Sequence, residues 1–165
     1  MDDDDMILES LVSILESEGY IVSTARTGSE AVAKTKKKFF NAMLIDIHLP
    51  DMTGIEVISK IKETTPKMKK LILTGFPETH TAIDAVNKKA DAYLVKPFDP
   101  ELLLELLEQN LRQQEEELKY AQEKVLEYIR KMLEERGVAP TIEEIARHLG
   151  VTSCLLYTSD AADEL

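Results

Sequence analysis

Short apolar runs alternate with helix-length segments over the first hundred residues of the chain. Four runs are too short for helices and rich in branched residues: YIVSTA (20–25), AMLID (42–46), KLILT (70–74) and AYLVK (92–96). Helical periodicity occupies the stretches around 29–38, 54–64 and 78–89. Strands that are separated by helices need crossover connections, which produce a parallel sheet covered on both faces. The pattern therefore predicts an α/β, doubly wound domain.

Composition excludes several classes of protein. No apolar run approaches the roughly 18 residues that span a bilayer, and no basic-then-apolar signal segment begins the chain. The formal charge of −11 argues against a chain-wide nucleic-acid surface, although it would mask a small local patch. The single cysteine, Cys154, cannot form an internal disulfide, which favours a reducing compartment.

Polar side chains stand where the predicted strands end. Asp46, Thr74 and Lys96 close three of the runs, and the aspartates of MDDDD precede the first helix, which Gly19 ends. Ligands of open parallel sheets bind beyond the carboxyl ends of the strands. Carboxylates that converge there need a hard cation such as Mg²⁺, and a lysine and a threonine opposite them would complement a phosphoryl group. These residues predict Mg²⁺-dependent phosphoryl transfer onto an aspartate.

Three segments together resemble the receiver domains of two-component response regulators, which have a flavodoxin-like fold. They are LIDIHLPDMTGIEVI (44–58), LILTG (71–75) and AYLVKPFDPELL (92–103). The spacings also match those of the family, with 43 positions from Asp3 to Asp46, 28 from Asp46 to Thr74 and 50 from Asp46 to Lys96. The resemblance implies a receiver domain over residues 1–118.

The resemblance assigns the phosphoacceptor and its metal site. Asp46 would be the phosphorylated residue, and Asp2 and Asp3 would match the acidic pair that helps to hold Mg²⁺, with Asp3 the direct ligand. The backbone carbonyl of His48 would complete the protein ligands. A histidine kinase or phosphotransfer protein would be the phosphoryl donor, in the cytoplasm.

The same resemblance assigns the residues that respond to phosphorylation. Thr74 would bond a phosphoryl oxygen, Lys96 would pair with the phosphoryl group, and Tyr93 would be the aromatic that moves with Thr74. In the family the bond before the proline corresponding to Pro97 is cis.

The family's domain begins with an apolar strand ahead of the acidic pair, and here Met1 stands at its last position. In this topology that strand is central, so we expect the chain as given either to fold poorly or to leave a groove with two exposed strand edges in its place. Five buried apolar residues would contribute roughly 7–15 kcal/mol. We expect the natural gene to begin upstream, with a valine codon taken as the start.

A long helix is predicted after the receiver segment. Asp99 is a suitable N-cap and Pro100 a suitable first residue, and no Gly or Pro follows until Gly137. Leucines and other apolar residues recur every seven positions from Leu104 to Met132, but Gln114 lies on the same seam. Two interpretations stay open: a coiled coil that forms a homodimer, or a helix docked on the domain and followed by a solvated linker.

Residues 119–153 are predicted to be a connecting helix and a partial helix-turn-helix domain. The segment EKVLEYIRKMLEERGVAPTIEEIARHLGVTS resembles the start of the winged helix-turn-helix domain of the SOS-response repressor. Thr141 and Glu144 form a capping-box pattern. Residues Val125, Leu126, Ile129 and Leu133 are expected to meet Ile142, Ile145 and Leu149 in a small core. The recognition helix would begin near residue 153, so only the complete parent protein could read DNA. The alternative for this segment is an αα-hairpin used for protein contacts, but the turn in IARHLGVTS favours DNA binding.

The last residues differ in character. CLLYTSDAADE (154–164) resembles the translation of a sequencing-library adaptor, and we expect residues 154–165 to be an adaptor-derived tail. Without Asp160, Asp163 and Glu164, 28 acidic and 20 basic residues remain, for a charge of −8.

The sequence therefore predicts a phosphorelay response regulator that controls transcription through a DNA-binding output domain. It is not expected to be an enzyme, beyond hydrolysis of its own phosphoaspartate. Two alternatives stay open: a stand-alone receiver that relays phosphoryl groups or docks proteins, and a Mg²⁺ phosphohydrolase of external substrates. The second is less favoured, because IDIH (45–48) lacks the second aspartate of haloacid-dehalogenase-type phosphatases.

Overall fold

The computed structural model describes residues 1–62, 64, 66–75 and 90–149 of the 165-residue chain. The chain divides into two compact units, Met1–Gln114 and Glu115–Leu165. The helices and strands, in chain order, are α1 (Asp5–Ser17), α2 (Gly28–Thr35), β1 (Ala42–Asp46), α3 (Gly54–Lys60), β2 (Lys69–Thr74), β3 (Ala92–Val95), α4 (Pro100–Arg136) and α5 (Ile142–Leu149). The helix predicted at 78–89 lies outside the described residues.

The three strands form a parallel sheet in the order β1-β2-β3. Every residue of the middle strand β2 is buried, because strands pair with both of its edges and helices cover both of its faces. Asp46 pairs with Leu73, and Thr74 pairs with Val95, so the strands end at the same edge of the sheet. The predicted α/β class and parallel topology are confirmed.

One predicted strand is not formed. Residues 20–25 form no strand ladder, and the side chain of Ile21 is 90% exposed. At the two ends of this segment, the N–H of Tyr20 donates to the carbonyl of Leu15 at 3.1 Å and the N–H of Asp2 donates to the carbonyl of Ala25 at 3.3 Å. A parallel ladder needs a strand bonded along its whole length, and among the described residues Asp2 contributes one such bond to this segment. The prediction of a strand at YIVSTA was therefore wrong for this structure.

The core has two layers because alternate residues of each strand point to opposite faces of the sheet. Leucines of β2 and β3 pack against α1 and α4, in clusters that comprise Leu11, Leu73, Leu94 and Leu103, and Leu15, Leu71 and Leu107. The other face packs against α2 and α3, in clusters that comprise Ala31, Val57, Ile61 and Met68, and Ile45, Ile58 and Ile72.

Helix ends follow the local signals of the sequence. The carboxylate of Asp4 caps α1, accepting from the N–H of Met6 at 2.8 Å, and Gly19 follows α1 with φ of +84°. The carboxylate of Asp99 accepts from the N–H of Glu101 at 2.9 Å, and α4 begins at Pro100, as predicted. Part of the N-terminal acidic run is thus a helix cap, where negative charge is stabilising.

Gln114 explains the polar break in the apolar seam of α4. Its side-chain amide is buried and donates to the carbonyls of Asn41 at 2.9 Å and Lys67 at 2.7 Å, just ahead of β1 and β2. The side-chain N–H of Asn41 donates back to Gln114 Oε1 at 3.1 Å. Through residue 114, α4 is a docked helix, which was one of the two interpretations of its seam.

In the second unit, the described residues comprise the end of α4 and α5. Thr141 and Glu144 form the predicted capping box, with the N–H of Thr141 donating to Glu144 Oε2 at 2.8 Å and the N–H of Glu144 donating to Thr141 Oγ1 at 3.3 Å. The rings of Tyr128 and His148 stack with centroids 4.1 Å apart. The expected core is only partly right: Val125, Ile129, Ile145 and Leu149 are half-buried, but Leu126, Leu133 and Ile142 are exposed. The buried apolar residues are Met132 and Ala146, which the predicted core did not include.

Among the residues that the structure describes, no helix is both long and apolar enough to cross a membrane.

We predict that Gln114→Ala lowers the free energy of unfolding by about 1–3 kcal/mol, because it removes the donor to the Lys67 carbonyl and the acceptor of the Asn41 side-chain amide, ahead of β2 and β1. The Asn41 carbonyl loses one of its two donors and keeps the N–H of Lys69. Urea denaturation followed by circular dichroism measures the change. Gln113→Ala is the matched control, since Gln113 is exposed on the same helix, and we expect it to change stability by less than about 0.5 kcal/mol. Equal effects of the two substitutions would contradict the role assigned to Gln114.

Candidate functional site

The carboxyl ends of the three strands bring the predicted residues to one edge of the sheet. Asp46 ends β1, Thr74 ends β2 and Lys96 directly follows β3. The backbone N–H of Lys96 donates to the carbonyl of Thr74 at 2.7 Å, which fixes the two segments against each other. The peptide bond between Lys96 and Pro97 is cis, as the resemblance implied.

Met1 places the acidic run at this edge. Its terminal amine donates to the carbonyl of Leu44 at 2.8 Å, and its carbonyl accepts from the N–H of Asp46 at 3.0 Å. These two bonds fix Met1 beside β1, so that Asp2 lies next to Asp46. Burial lowers the pKa of the Met1 amine from 8.0 to about 6, against the attraction of the nearby carboxylate of Asp2.

The ammonium of Lys96 lies between two carboxylates. Its Nζ donates to Asp2 Oδ2 at 2.5 Å and also to Asp46 Oδ2. Asp2 is only 1% exposed, so little water reaches its carboxylate. Its hydrogen bonds come from Lys96 and from the N–H of Asp4, which donates to Asp2 Oδ1 at 3.1 Å. Burial by itself lowers the pKa of Lys96, but the hydrogen bonds to Asp2 and Asp46 outweigh it, and the pKa is raised overall.

Three carboxylates form a candidate cation site. Oxygens of Asp2, Asp3 and Asp46 lie within 4.8 Å of one another, with Asp3 exposed and the other two buried. Their three negative charges and the single positive charge of Lys96 leave a formal charge of −2, which a divalent cation would neutralise. Mg²⁺ prefers a few carboxylate oxygens and keeps water ligands, and the exposed side at Asp3 allows for them. The residues present therefore fit Mg²⁺.

The loop after β1 holds the Asp46 side chain from the other direction. The backbone N–H of His48 donates to Asp46 Oδ1 at 2.9 Å. Gly54 packs on the end of β1: a Cβ at this position would lie 2.4 Å from the carbonyl oxygen of Asp46. His48 is thus at the site through its N–H, and the assignment of its carbonyl as a metal ligand stays a prediction.

Thr74 and Tyr93 occupy different environments. Thr74 is buried at the end of β2, beside the end of β1. Tyr93 pairs in the sheet with Ile72, and its side chain is 47% exposed. The structure therefore gathers Asp2, Asp3, Asp46, Thr74 and Lys96 at the sheet edge, whereas Tyr93 lies further back along β3 with half of its side chain in solvent.

Sequence reasoning missed the structural role of Asp51. Its carboxylate accepts from the N–H of Gly28 at 2.8 Å and of Ser29 at 2.9 Å, at the start of α2. Hydrogen bonds from the side chain and backbone of Ser29, and from the backbone of Gly28, lower the pKa of Asp51 to about 2. The sequence holds no local signal for this contact, because the two partners lie more than twenty residues apart.

Residues 1–108 match the profile of the family described as "Response regulator receiver domain". The chain therefore belongs to the response regulator receiver domain family. Residues 115–159 match a second profile, described as "LexA DNA binding domain".

Curated relatives extend this comparison. The chain is 36% identical over 111 residues to the transcriptional regulatory protein ZraR of Salmonella typhimurium. The aligned region covers 67% of this chain and 25% of that protein. It is 33% identical over 103 residues to the alginate biosynthesis transcriptional regulatory protein AlgB of Pseudomonas syringae, covering 62% of this chain and 23% of that protein. The chain thus spans about a quarter of the length of these relatives.

Solved structures share the fold. A CheY-like receiver domain protein from Methanospirillum hungatei is 45% identical, with a TM-score of 0.65 over 70% of this chain and 93% of that one. The response regulator TrrA of Thermotoga maritima, solved in complex with Mg²⁺-BeF, is 33% identical, with a TM-score of 0.59 over 66% of this chain and 93% of that one.

We predict that Lys96→Met destabilises the fold by about 1.5–3 kcal/mol in the absence of divalent cations, because two carboxylates then face each other without a shared donor. Urea denaturation in the presence of a chelator measures this loss. Lys131→Met is the control, since Lys131 pairs with Glu135 at the surface, and we expect a change of about 0–1 kcal/mol. Adding Asp46→Asn to Lys96→Met should recover part of the loss, and a simply additive double variant would contradict the coupling.

We predict that Asp51→Asn lowers the midpoint of thermal unfolding near neutral pH. The pKa of Asp51 is about 2 in the folded protein, below its ordinary value of 3.8. The ionised carboxylate therefore stabilises the fold fully above about pH 4, and this stabilisation is lost as the pH falls towards 2. The difference in midpoint between wild type and variant should therefore shrink from about pH 4 towards pH 2. Glu16→Gln, an exposed carboxylate of α1, is the control. A difference that stays constant with pH would contradict the assignment.

Proposed function

We propose that this chain is the receiver part of a phosphorelay response regulator, in which Asp46 accepts a phosphoryl group from a histidine kinase or phosphotransfer protein. The observation that carries the proposal is the Lys96 ammonium shared by Asp2 and Asp46, beside Asp3, at the carboxyl ends of the strands. This arrangement combines a nucleophilic carboxylate with a cation for the incoming phosphoryl oxygens.

In the proposed step, a carboxylate oxygen of Asp46 attacks the phosphorus of a phosphohistidine. The new O–P bond forms an acyl phosphate while the P–N bond breaks, and the released imidazole nitrogen takes up a proton. The N–H of His48 holds Asp46 Oδ1 at 2.9 Å, which leaves Oδ2, now bonded to Lys96, as the attacking oxygen. As the phosphoryl group arrives, the Lys96 ammonium exchanges its bond to Asp46 Oδ2 for a phosphoryl oxygen.

Asp2, Asp3 and Asp46 would hold Mg²⁺, together with the backbone carbonyl of His48. When bound, the ion supplies the positive charge that offsets the carboxylates and the phosphoryl group. Of the pair Asp2 and Asp3, Asp3 is the direct ligand in this proposal, because its side chain is exposed. The buried carboxylate of Asp2 is held by the N–H of Asp4 and by the ammonium of Lys96. Slow hydrolysis of the phosphoaspartate would return the chain to its starting state.

Thr74 and Tyr93 would carry the response to phosphorylation. The Thr74 hydroxyl would bond a phosphoryl oxygen, and Tyr93, with half of its side chain in solvent on β3, would move with it. Both residues lie near the segment that leads into α4. Four residues separate β3 from the start of that helix, and the first of them, Lys96, donates its backbone N–H to the carbonyl of Thr74. The change would thus reach the surface formed by β3 and α4.

The output would be transcription control through DNA binding, which the similarity of residues 115–159 to the LexA DNA binding domain supports. We place the end of the receiver domain at residue 118 and the partial helix-turn-helix domain at residues 119–153. The recognition helix would come from the complete parent protein, and a homodimer through α4 in the cytoplasm is part of the proposal. The alternative, a stand-alone relay or docking module, predicts a parent without a DNA-reading helix.

We predict that the chain gains the mass of one phosphoryl group when incubated with Mg²⁺ and acetyl phosphate, and that Asp46→Asn abolishes the gain. Intact-mass spectrometry measures both. Asp5→Asn is the matched control from the acidic run, because Asp5 pairs with Arg26 at the surface, and it should be phosphorylated like the wild type.

Asp3→Asn should slow the reaction by at least about tenfold at limiting Mg²⁺, through loss of one ligand charge. Phosphorylation of Asp46→Asn at an unchanged rate, or a wild type that stays unmodified although folded by circular dichroism, would overturn the proposal. Release of inorganic phosphate from small phosphoesters, in amounts exceeding the protein, would favour the phosphohydrolase instead.

A further inference from the structure

A run of lysines follows α2. Residues 31–45 contain Lys34, Lys36, Lys37 and Lys38 but no aspartate or glutamate, in a chain whose formal charge is −11. The last three of these lysines are exposed, in the turn that connects α2 to β1. The acidic total therefore conceals a local surface of the opposite sign, which can attract a partner that the net charge would repel.

A fourth exposed lysine, Lys67, lies beside this turn. The side-chain amide of Gln114 donates to the carbonyls of both Asn41 and Lys67, at 2.9 and 2.7 Å, so the segments ahead of β1 and β2 lie next to each other. The ammonium of Lys67 also pairs with Asp91 at 3.2 Å. Both segments are at the amino ends of the strands, whereas Asp46 is at a carboxyl end.

A fifth lysine, Lys62, follows α3 where the chain returns to the start of β2. The residue before it, Ile61, packs in the same apolar cluster as Phe40 and Met68, which come from the other two segments. Lys62 itself is exposed beside this cluster. The five exposed lysines at this edge of the sheet form what we call the lysine patch: Lys36, Lys37, Lys38, Lys62 and Lys67.

The end of α2 does not account for the run. Lysine side chains near a helix C-terminus can bond its last carbonyls, but here backbone N–H groups do so. Lys36 donates its N–H to the carbonyl of Val32 at 3.3 Å, and the N–H groups of Lys37 and Lys38 both donate to the carbonyl of Lys34 at 3.0 Å. Adjacent exposed lysines repel one another, so the run does not stabilise the fold.

Duplex DNA is the polyanion that the observations favour as a partner. It carries one negative charge per about 1.7 Å of its axis, and lysine ammoniums bind phosphates as point charges. Residues 115–159 of the same chain match the LexA DNA binding domain profile. A lipid surface fits less well, because membrane-surface binding needs a broad apolar face, and the turn adds only Phe39, which is 42% exposed.

We propose that the lysine patch contacts the phosphate backbone of duplex DNA and gives the receiver unit a DNA contact of its own. Phosphate contacts position a protein on the duplex and carry no sequence information, so the patch would strengthen binding at any sequence. The proposal rests on the DNA-binding output proposed above. It does not depend on the phosphorylation of Asp46.

The test uses the full chain, a chelator and a fluorescein-labelled duplex of about 20 base pairs, with fluorescence anisotropy at about 20 to 200 mM KCl. The wild type should bind saturably, and more weakly as salt rises. The variant Lys36→Gln, Lys37→Gln, Lys38→Gln should bind at least about tenfold more weakly at the lowest salt. Its plot of log affinity against log salt should be shallower by about 2–3, since each phosphate contact contributes about 0.9.

A charge-matched variant separates the patch from the net charge. Ser10→Glu, Ser13→Glu and Gln113→Glu change the net charge by the same amount at exposed positions of α1 and α4, which pack on the other face of the sheet from α2 and α3. This variant should weaken binding by less than about threefold, because salt screens charges that are more than a Debye length away. Urea denaturation should show that the lysine variant is as stable as the wild type, since its side chains are exposed.

Phe39→Ser separates DNA from a lipid surface. The ring has no part in phosphate contacts, so this variant should bind DNA within about twofold of the wild type. Co-sedimentation with vesicles of phosphatidylglycerol and phosphatidylcholine measures lipid binding, which an exposed phenylalanine among lysines would support.

Four outcomes would overturn the proposal. They are a folded wild type that does not bind the duplex at low salt, a lysine variant that binds like the wild type with an unchanged salt slope, equal weakening by the lysine and the charge-matched variants, and binding to vesicles in place of DNA that is lost in Phe39→Ser. The lysine variant should still gain one phosphoryl group in the intact-mass test. Failure of this proposal and failure of the phosphorelay proposal are therefore distinguishable.

Discussion

The ammonium group of Lys96 connects the parts of the chain that form the candidate site. Lys96 follows β3 and bonds to both Asp2 and Asp46, so it joins the first residues of the chain to the ends of two strands. Without a cation, buried Asp2 and Asp46 would repel each other at an edge where water is largely excluded. In the proposed function, the ammonium that neutralises the carboxylates would also complement a phosphoryl group.

A second constraint comes from the sheet. Because β2 is buried on both faces and paired on both edges, the residues that end the strands are held to fixed relative positions. Gly54, the first residue of α3, packs against the end of β1 so closely that a Cβ would collide with the backbone of Asp46. The site is therefore a rigid edge with an exposed entrance at Asp3, which suits a reaction whose catalysis depends on positioning and charge.

Much of this could be predicted from the sequence. AMLID and KLILT are apolar and branched, and both are strands; Gly19, Asp99 and Pro100 mark helix ends in the expected places. The grouping of Asp2, Asp3, Asp46 and Lys96 followed from family spacing and is seen in the structure. YIVSTA has the composition of a strand but does not form one, because strand formation depends on a neighbour and not on propensity alone.

The local signals were sufficient wherever the partners lie within one element. Caps, helix ends and apolar periodicity depend on residues three or four positions apart, so the sequence by itself determined the described helices and the fold class. Which apolar runs became strands depended on their neighbours in the sheet. Only the tertiary structure decided the contacts between distant residues. These are the hydrogen bonds of Gln114 to the segments ahead of two strands, of Asp51 to the start of α2, and of Met1 to β1. These contacts join residues twenty or more positions apart, where only the folded backbone brings donor and acceptor within bonding distance.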